Sequence, residues 1–306
     1  MKYKFTVFTP TFNRAYTLQR VFDSLMSQTI RHCDFEWILI NDGSTDNTDD
    51  LVKKFSSQAN FDIRYIKQEN KGKNYCHNKA IKLAKGELFL ILDSDDAIIP
   101  KCMNVFWKYW KKLDDATRKD IYGINCLCKD GNTGLLIGKN IQDGIIENAF
   151  KWKHKNKIYF ETWGALNIKL FKQYLFPEAD EIKFIPEAYI WDKVNQNRKI
   201  FSINETLRII YHQNDGFSKN IINSYKNHAK GRYIYHKMVI DELFWDLIKI
   251  NPIRLLKDFI QFGRIGLHSN YNFKKMLKDI NNNYKRIIFF LVLPISLYLF
   301  KKDQYK

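Results

Sequence analysis

Residues 89–96 read Phe89-Leu90-Ile91-Leu92-Asp93-Ser94-Asp95-Asp96. A short apolar run that fits a buried strand stops abruptly at three carboxylates. Side chains alternate along an extended chain, so Asp93 and Asp95 point the same way. Paired carboxylates at the carboxyl end of a strand can hold a hard divalent cation and leave positions open to phosphate oxygens. The plainer reading of the same residues is a helix cap followed by a solvated turn.

Working outward from this stretch, the first hundred residues alternate between two periods. Phe5 to Thr9, Phe35 to Ile40, Ile63 to Lys67 and Leu88 to Leu92 are β-prone and apolar. Between them, Tyr16 to Gln28 places Leu18, Val21, Phe22, Leu25 and Met26 on one helical face, and Asp49 to Phe55 and Tyr75 to Ala84 also read as helices. Repeated strand and helix at this spacing predict an α/β fold, a mostly parallel sheet flanked by helices. Such sheets bind ligands at the carboxyl ends of their strands. The polar motifs lie there: Thr9-Pro10-Thr11-Phe12-Asn13-Arg14, Asn41-Asp42-Gly43-Ser44-Thr45-Asp46, and Asn70-Lys71-Gly72-Lys73-Asn74 with His77-Asn78-Lys79 after it. Carboxylates, amides and a lysine converging on one sheet edge describe a nucleotide-diphosphate site better than unrelated turns do.

The chain has 306 residues, about two domains' worth. Hydrophobic residues make up 45% and aromatics 15%, which excludes disorder as the main state. Lys and Arg number 50 against 33 Asp and Glu, a formal charge of +17 that suggests an anionic partner. Residues 219–306 alone hold 17 basic and 6 acidic side chains, against 33 and 27 in residues 1–218. The five cysteines lack zinc-type spacing and read as reduced, buried thiols of a cytosolic protein. Met1 to Phe5 runs straight into a strand-like segment, so no signal peptide is expected. Beyond residue 219 the chain reads as basic helices over Tyr225 to Lys249, Pro252 to Gly263 and Phe273 to Ile280. Ile287 to Phe300 carries no charge and is flanked by Lys285, Arg286, Lys301 and Lys302. As a helix it would measure about 21 Å, short of a bilayer's hydrocarbon core, so it reads as an interfacial anchor, with a buried helix as the alternative.

Taken together, the motifs resemble a family 2 glycosyltransferase of the GT-A (Rossmann-like) fold, of the bacterial cell-surface polysaccharide type. The resemblance is strong over residues 4–100 and weaker over 101–218. It implies a catalytic domain over 1–218, with a nucleotide-binding half (1–100) and an acceptor-binding half (101–218), followed by a basic helical region over 219–306. It implies a nucleotide-binding set of Thr9, Pro10, Thr11, Asn13, Arg14, Asp42, Lys73, Asn78, Asp93 and Ser94, with Asp42 accepting a hydrogen bond from the base. Asp95 would ligate Mn²⁺ or Mg²⁺. Asn41 stands where many members carry Asp, and Lys73-Asn74 lies in a segment often richer in small residues and Arg.

The implied catalytic base is Glu187, with Asp192 as second candidate. The competing reading makes Glu187 a first-turn acid behind Pro186, favourable to the helix dipole. His212 would be a third metal ligand or a phosphate donor, or else a structural hydrogen bonder. Trp163 and Trp191 would stack on acceptor sugar faces, or else fill the core.

The implied activity is inverting, metal-dependent transfer of a hexosyl or N-acetylhexosaminyl group from a nucleotide-diphosphate sugar, of the UDP type, to a lipid-linked or cell-surface glycan. The implied location is cytoplasmic, peripheral at the inner face of an anionic membrane, and an oligomer is compatible with the sequence. A nucleotidyltransferase would want a Gly-rich basic loop after the first strand, and Thr9 to Arg14 has no Gly. A non-catalytic basic protein that binds membrane or nucleic acid suits the charge. Without a metal, however, Asp93, Asp95 and Asp96 would repel nucleic-acid phosphates, so no nucleic-acid partner is expected.

Overall fold

The computed structural model describes residues 1–155, 160–213 and 225–305. By internal contacts the chain forms two units, Met1–Leu175 with Asn197–Gln213, and Phe176–Gln196 with Asn214–Lys306. The segment Phe176–Gln196, which the sequence reading kept with residues 1–218, therefore groups with the C-terminal helices. The boundary expected at 218/219 falls outside the described residues.

The first unit is built on one sheet. Its strands are β1 (Tyr3–Thr11), β2 (Phe35–Asn41), β3 (Asp62–Lys67), β4 (Gly86–Ile91), β5 (Ala97–Ile98), β6 (Ile121–Asp130), β7 (Leu136–Ile137), β8 (Ile145–Asn148), β9 (Thr162–Asn167) and β10 (Lys199–Ile210). The order is β3-β2-β1-β4-β9-β6-β10-β5, with β7 on β6 and β8 on β10. β3, β2, β1 and β4 run parallel, as expected. β9 enters antiparallel between β4 and β6. The chain steps from β1 to β2 and β3 on one side and then returns to β4 on the other. Such a reversal opens a crevice at the carboxyl ends of β1 and β4.

The core explains these elements. β2 is buried along its whole length, as a parallel strand covered on both faces must be. The helix Ala15–Met26 buries Leu18, Val21, Phe22 and Leu25, and Phe22 stacks on Phe55 at 4.3 Å between ring centroids. A polar node lies inside the sheet. The fully buried Glu36 accepts from the Thr6 hydroxyl at 2.7 Å and the Lys85 amide at 2.8 Å, and pairs with Arg64 at 3.1 Å. At the start of β4, a Cβ on Gly86 would meet the Thr6 amide nitrogen at 2.3 Å, so only glycine lets β4 lie against β1 there. All five cysteines are free. Four are buried, but Cys33 is exposed, contrary to the expectation of uniformly buried thiols.

The second unit is helical: Ala188–Asn197, Ala229–Glu242, Phe244–Ile250, Pro252–His268, Phe273–Asp279 and Asn283–Gln304. The single helix expected over Tyr225 to Lys249 is broken at Leu243, whose backbone (φ −100°, ψ 4°) leaves the helical region while its side chain is fully buried. The apolar tail sits in a helix of 22 residues, about 33 Å long, not the 21 Å of its uncharged portion. Length alone therefore does not distinguish a bilayer crossing from an interfacial helix.

Candidate active site

Three carboxylates follow β4, and the structure treats each differently. Asp96 is buried; its Oδ2 accepts from Arg208 Nε at 2.8 Å and also from Arg208 Nη2, and its Oδ1 accepts from the Tyr211 amide at 3.0 Å. Asp93 bridges two cations, Lys73 Nζ at 2.6 Å and Arg208 Nη2 at 2.8 Å. No ion pair reaches Asp95 among the described residues. Instead its backbone carbonyl accepts from Arg20 Nη1 at 2.6 Å, and the Arg20 guanidinium lies 3.8 Å from the Tyr211 ring centroid. The turn bearing the acids is thus fastened to β10 by Arg208 and to the first helix by Arg20.

The ionisation of the three follows from these partners. Burial opposes ionisation of Asp93, yet the charges of Lys73 and Arg208 hold its carboxyl at about 2. Burial pushes Asp96 up to about 6, against the pull of Arg208. Burial and then the neighbouring Asp93 charge raise Asp95, with Arg14 and Arg208 opposing. One carboxylate facing unbalanced negative potential is a hard-donor position for a cation. Among the described residues no group of three His, Cys, Asp or Glu gathers to form a metal cage. Asp95 fits a divalent ion only if a bound diphosphate supplies further oxygens.

The expected nucleotide residues divide into those that build the crevice and those in the core. Thr9 is fully buried and its hydroxyl accepts from Trp37 Nε1 at 3.0 Å, so it braces β1 against β2. The Thr11 hydroxyl, at the end of β1, is buried with no hydrogen-bond partner among the described residues, an orphan that a ligand's polar group would satisfy. Pro10 lies between them, level with Ile40 of β2. Asn13 takes a positive φ of 51° and ties two loops together: its Oδ1 accepts from the Thr45 amide at 2.8 Å and its own amide donates to Ser44 Oγ at 3.0 Å. Asp42 holds the third loop, accepting from Gln68 Nε2 at 2.9 Å and from the amides of Lys71 at 3.0 Å and Gly72 at 2.8 Å. Asn41 is a second knot, donating to Tyr65 Oη at 2.7 Å and Asp49 at 3.1 Å and accepting from the Ser44 amide at 2.7 Å. An Asp at 41 would lose both donations, which accounts for the amide in this chain. Lys73 opens the helix Lys73–Leu83 after Gly72, whose φ of 94° suits glycine, and Asn78 is buried in that helix. Ser94 is buried beside the acids.

Two further expectations are corrected. Trp163 is buried and donates Nε1–H to the Ile91 carbonyl at 2.5 Å, so it locks β9 to β4 and offers no face to a sugar. Asp192 is buried in the second unit, paired with Arg254 at 2.5 Å and accepting from Tyr235 Oη at 3.0 Å. A carboxylate so engaged is a structural counterion and not a free base. His212 is exposed and lies 3.8 Å from Asp130. Trp191 is half-buried on the helix Ala188–Asn197. Glu187 is exposed immediately before that helix, its carbonyl accepting from the Ile190 amide at 3.0 Å. The sequence reading gave Arg208 no role. Its signal was available, since Leu207-Arg208-Ile209-Ile210 puts one cation in an otherwise apolar strand end.

The profile of "Glycosyl transferase family 2" matches residues 6–175, more than half of the chain. The chain belongs to glycosyltransferase family 2. A poly(ribitol-phosphate) β-N-acetylglucosaminyltransferase, TarP of Staphylococcus aureus strain N315, is 27% identical over 201 residues, 65% of this chain and 53% of that protein. Pasteurella multocida chondroitin synthase is 34% identical over 149 residues, 48% of this chain and 14% of the synthase. This family 2 chain therefore spans about half or less of those relatives. Its fold is shared with S. aureus TarS 1–349 in complex with UDP-GlcNAc, at a TM-score of 0.59 and 17% identity, covering 98% of this chain and 92% of TarS 1–349. It is also shared with the Pyrobaculum calidifontis mannosyltransferase PcManGT in complex with GDP-Man and Mn²⁺, at a TM-score of 0.56 and 14% identity, covering 100% and 83%. The GT-A expectation is met.

Proposed function

We propose that this chain transfers a sugar from a nucleoside-diphosphate donor, of the UDP type, to a hydroxyl of a lipid-linked or cell-surface glycan, with inversion in a single displacement. The observation that carries the reading is the set of acids at the crevice between β1 and β4: Asp93 and Asp96 neutralised by Lys73 and Arg208, and Asp95 without an ion pair among the described residues. The solved relatives bound to UDP-GlcNAc and to GDP-Man with Mn²⁺ support a nucleotide-sugar donor.

Asp95 would hold Mn²⁺ or Mg²⁺ together with the diphosphate, and a cation so bound neutralises charge on the leaving group. The Thr11 hydroxyl would meet a polar atom of the nucleotide. Asp42, whose carboxylate holds the amides of Lys71 and Gly72 and the Gln68 side chain, would exchange one of these partners for a base N–H. Lys73 can turn from Asp93 toward a phosphate. The acceptor oxygen attacks the sugar carbon as the bond to the diphosphate breaks, and the acceptor proton passes to a carboxylate, for which Glu187 is proposed. We place the chain at the cytoplasmic face of the membrane, where a lipid-linked acceptor is found.

The test is a thermal shift with UDP- and GDP-sugars, with and without Mn²⁺. A donor at a hundred times its Kd stabilises by about 2.7 kcal/mol. The Asp95→Asn chain is expected to lose the Mn²⁺-dependent part of the shift. Glu187→Gln is expected to keep the shift and lose transfer. If no nucleotide sugar moves the transition, the reading fails.

A further inference from the structure

The helix Asn283–Gln304 is held to its own unit along one stripe. Phe289, Val292, Ser296 and Asp303 are buried, and a Cβ on Gly263 would meet Ser296 Oγ at 2.7 Å, so this helix and Pro252–His268 cross at close range. Polar ties fasten it at three levels. Lys285 Nζ donates to the Asp241 carbonyl at 3.1 Å, Ser296 Oγ to the Ile260 carbonyl at 2.9 Å, and Asp303 accepts from Arg264 Nε at 2.8 Å and meets His268 Nε2 at 2.9 Å. A helix tied this way at both ends and the middle cannot cross a bilayer alone without tearing these groups from their partners.

Its other face is bare. Tyr284, Ile287, Leu291, Ile295 and Tyr298 recur at helical spacing and are exposed, Leu291 at 70%. Phe290 and Leu297 widen the stripe, and Phe290 lies 6.3 Å from Phe273 between ring centroids. The stripe continues onto the neighbouring helix through Trp245, 60% exposed and 5.8 Å from Tyr284. A patch of this kind on a monomer marks a partner.

The charges say which partner. Every acid in residues 225–305 is occupied: Asp241 by Lys237, Glu242 by Lys193, Asp246 by Gln196, Asp258 by His236, Asp279 by Tyr233 and Asp303 by Arg264. Lys249, Lys257, Lys274, Lys278, Lys301 and Lys302 are exposed, and among the described residues none of them has a salt bridge. Apolar residues bordered by Trp and Tyr, with lysines and no free carboxylate, match the boundary of an anionic bilayer. A second copy of so basic a surface would be repelled.

We propose that this face docks in the plane of an anionic lipid surface, with Ile287, Phe290, Leu291 and Ile295 among the acyl chains and Trp245, Tyr284 and Tyr298 at the headgroups. The docking gives a physical basis for the lipid-linked acceptor proposed above and rests on that reading for its biological meaning. Vesicle binding needs no donor and donor binding needs no lipid, so the two proposals fail separately.

The experiment is sedimentation of the full chain with phosphatidylglycerol–phosphatidylcholine vesicles and with phosphatidylcholine alone. Binding is expected only with the anionic vesicles and is released by carbonate. Lys301→Ala and Lys302→Ala should each weaken it about fivefold, and Leu291→Asp with Ile295→Asp should weaken it further, with helix content and donor thermal shift unchanged. In wild-type protein, anionic vesicles should blue-shift tryptophan emission, and Trp245→Phe should remove the shift. This readout does not depend on the charged variants folding. No binding to either vesicle, unchanged binding by the variants, resistance to carbonate, or a wild-type dimer by light scattering that Leu291→Asp dissolves would each overturn the proposal.

Discussion

Replacing Arg208 with Met tests how the acidic turn is held. Arg208 is buried and its fork reaches Asp96 and Asp93, with Glu161 at 3.6 Å. Met fills similar volume without charge and leaves two carboxylates without their shared cation. Breaking a buried pair by removing one partner costs about 3–5 kcal/mol. A domain of this size loses about 2–4 °C per kcal/mol, so the sheet unit's melting transition should fall by about 6–20 °C at pH 7.5. The pH dependence is more diagnostic. Asp93, held at about 2, contributes stability that is present above the ordinary carboxylate range and lost as pH falls toward 2. Asp96, raised to about 6, works the other way: its contribution is complete below the ordinary range and lost as pH rises through 6. Without Arg208 both carboxyls move up; Asp96, left with only the Tyr211 amide, can take a proton at pH 5, whereas at pH 7.5 it stays a buried anion, and Asp93 keeps Lys73 at both pH values. Calorimetry should therefore find a smaller deficit at pH 5 than at pH 7.5. Arg208→Lys, which keeps the charge but not the fork, should fall between. A deficit under about 2 °C, or one equal at both pH values, would refute the clasp.

Asp95→Asn should behave oppositely, leaving the melting temperature unchanged or slightly higher, because burial and Asp93 disfavour its charge, while abolishing the Mn²⁺ effect on donor binding. Asp192→Asn should destabilise the helical unit by about 3–5 kcal/mol by stranding Arg254, with donor binding retained; chemical denaturation followed with a donor-binding assay separates the two. Burial opposes ionisation of Asp303, but Arg264 and His268 hold it below the usual carboxylate range, so its stabilising effect should begin to fade as pH drops below about 4 and vanish only as pH passes its lowered folded value. Asp303→Asn should lower the helical unit's melting temperature at pH 7 and abolish that acid dependence.

What was legible in the sequence was local. The strands and helices before residue 100 announce themselves by period, and the acids of the turn by ending an apolar run. What was hidden depends on partners distant in sequence. Trp163 offers no local sign that its indole will find the Ile91 carbonyl, 72 residues away. Arg208 meets Asp96 across 112 residues, and Asp192 meets Arg254 across 62. Thr9 and Thr11 belong to one motif, yet strand alternation cannot say which hydroxyl a tryptophan will claim and which will be left over. Length misled at the tail as well: the uncharged run ends at Phe300, but the helix continues to Gln304 because Asp303 finds Arg264 and His268 inside the fold.

Gly86 has a consequence at the far end of its strand. Asp93 is seven residues further on, just past the end of β4 at Ile91. Because no bulkier residue can occupy position 86 without pushing β4 away from Phe5 and Thr6, the smallest residue in the protein sets the alignment at which β4 runs out beside Phe8 and hands over to the carboxylate turn. Selection for chemistry in this crevice can therefore act on a position that no substrate ever touches.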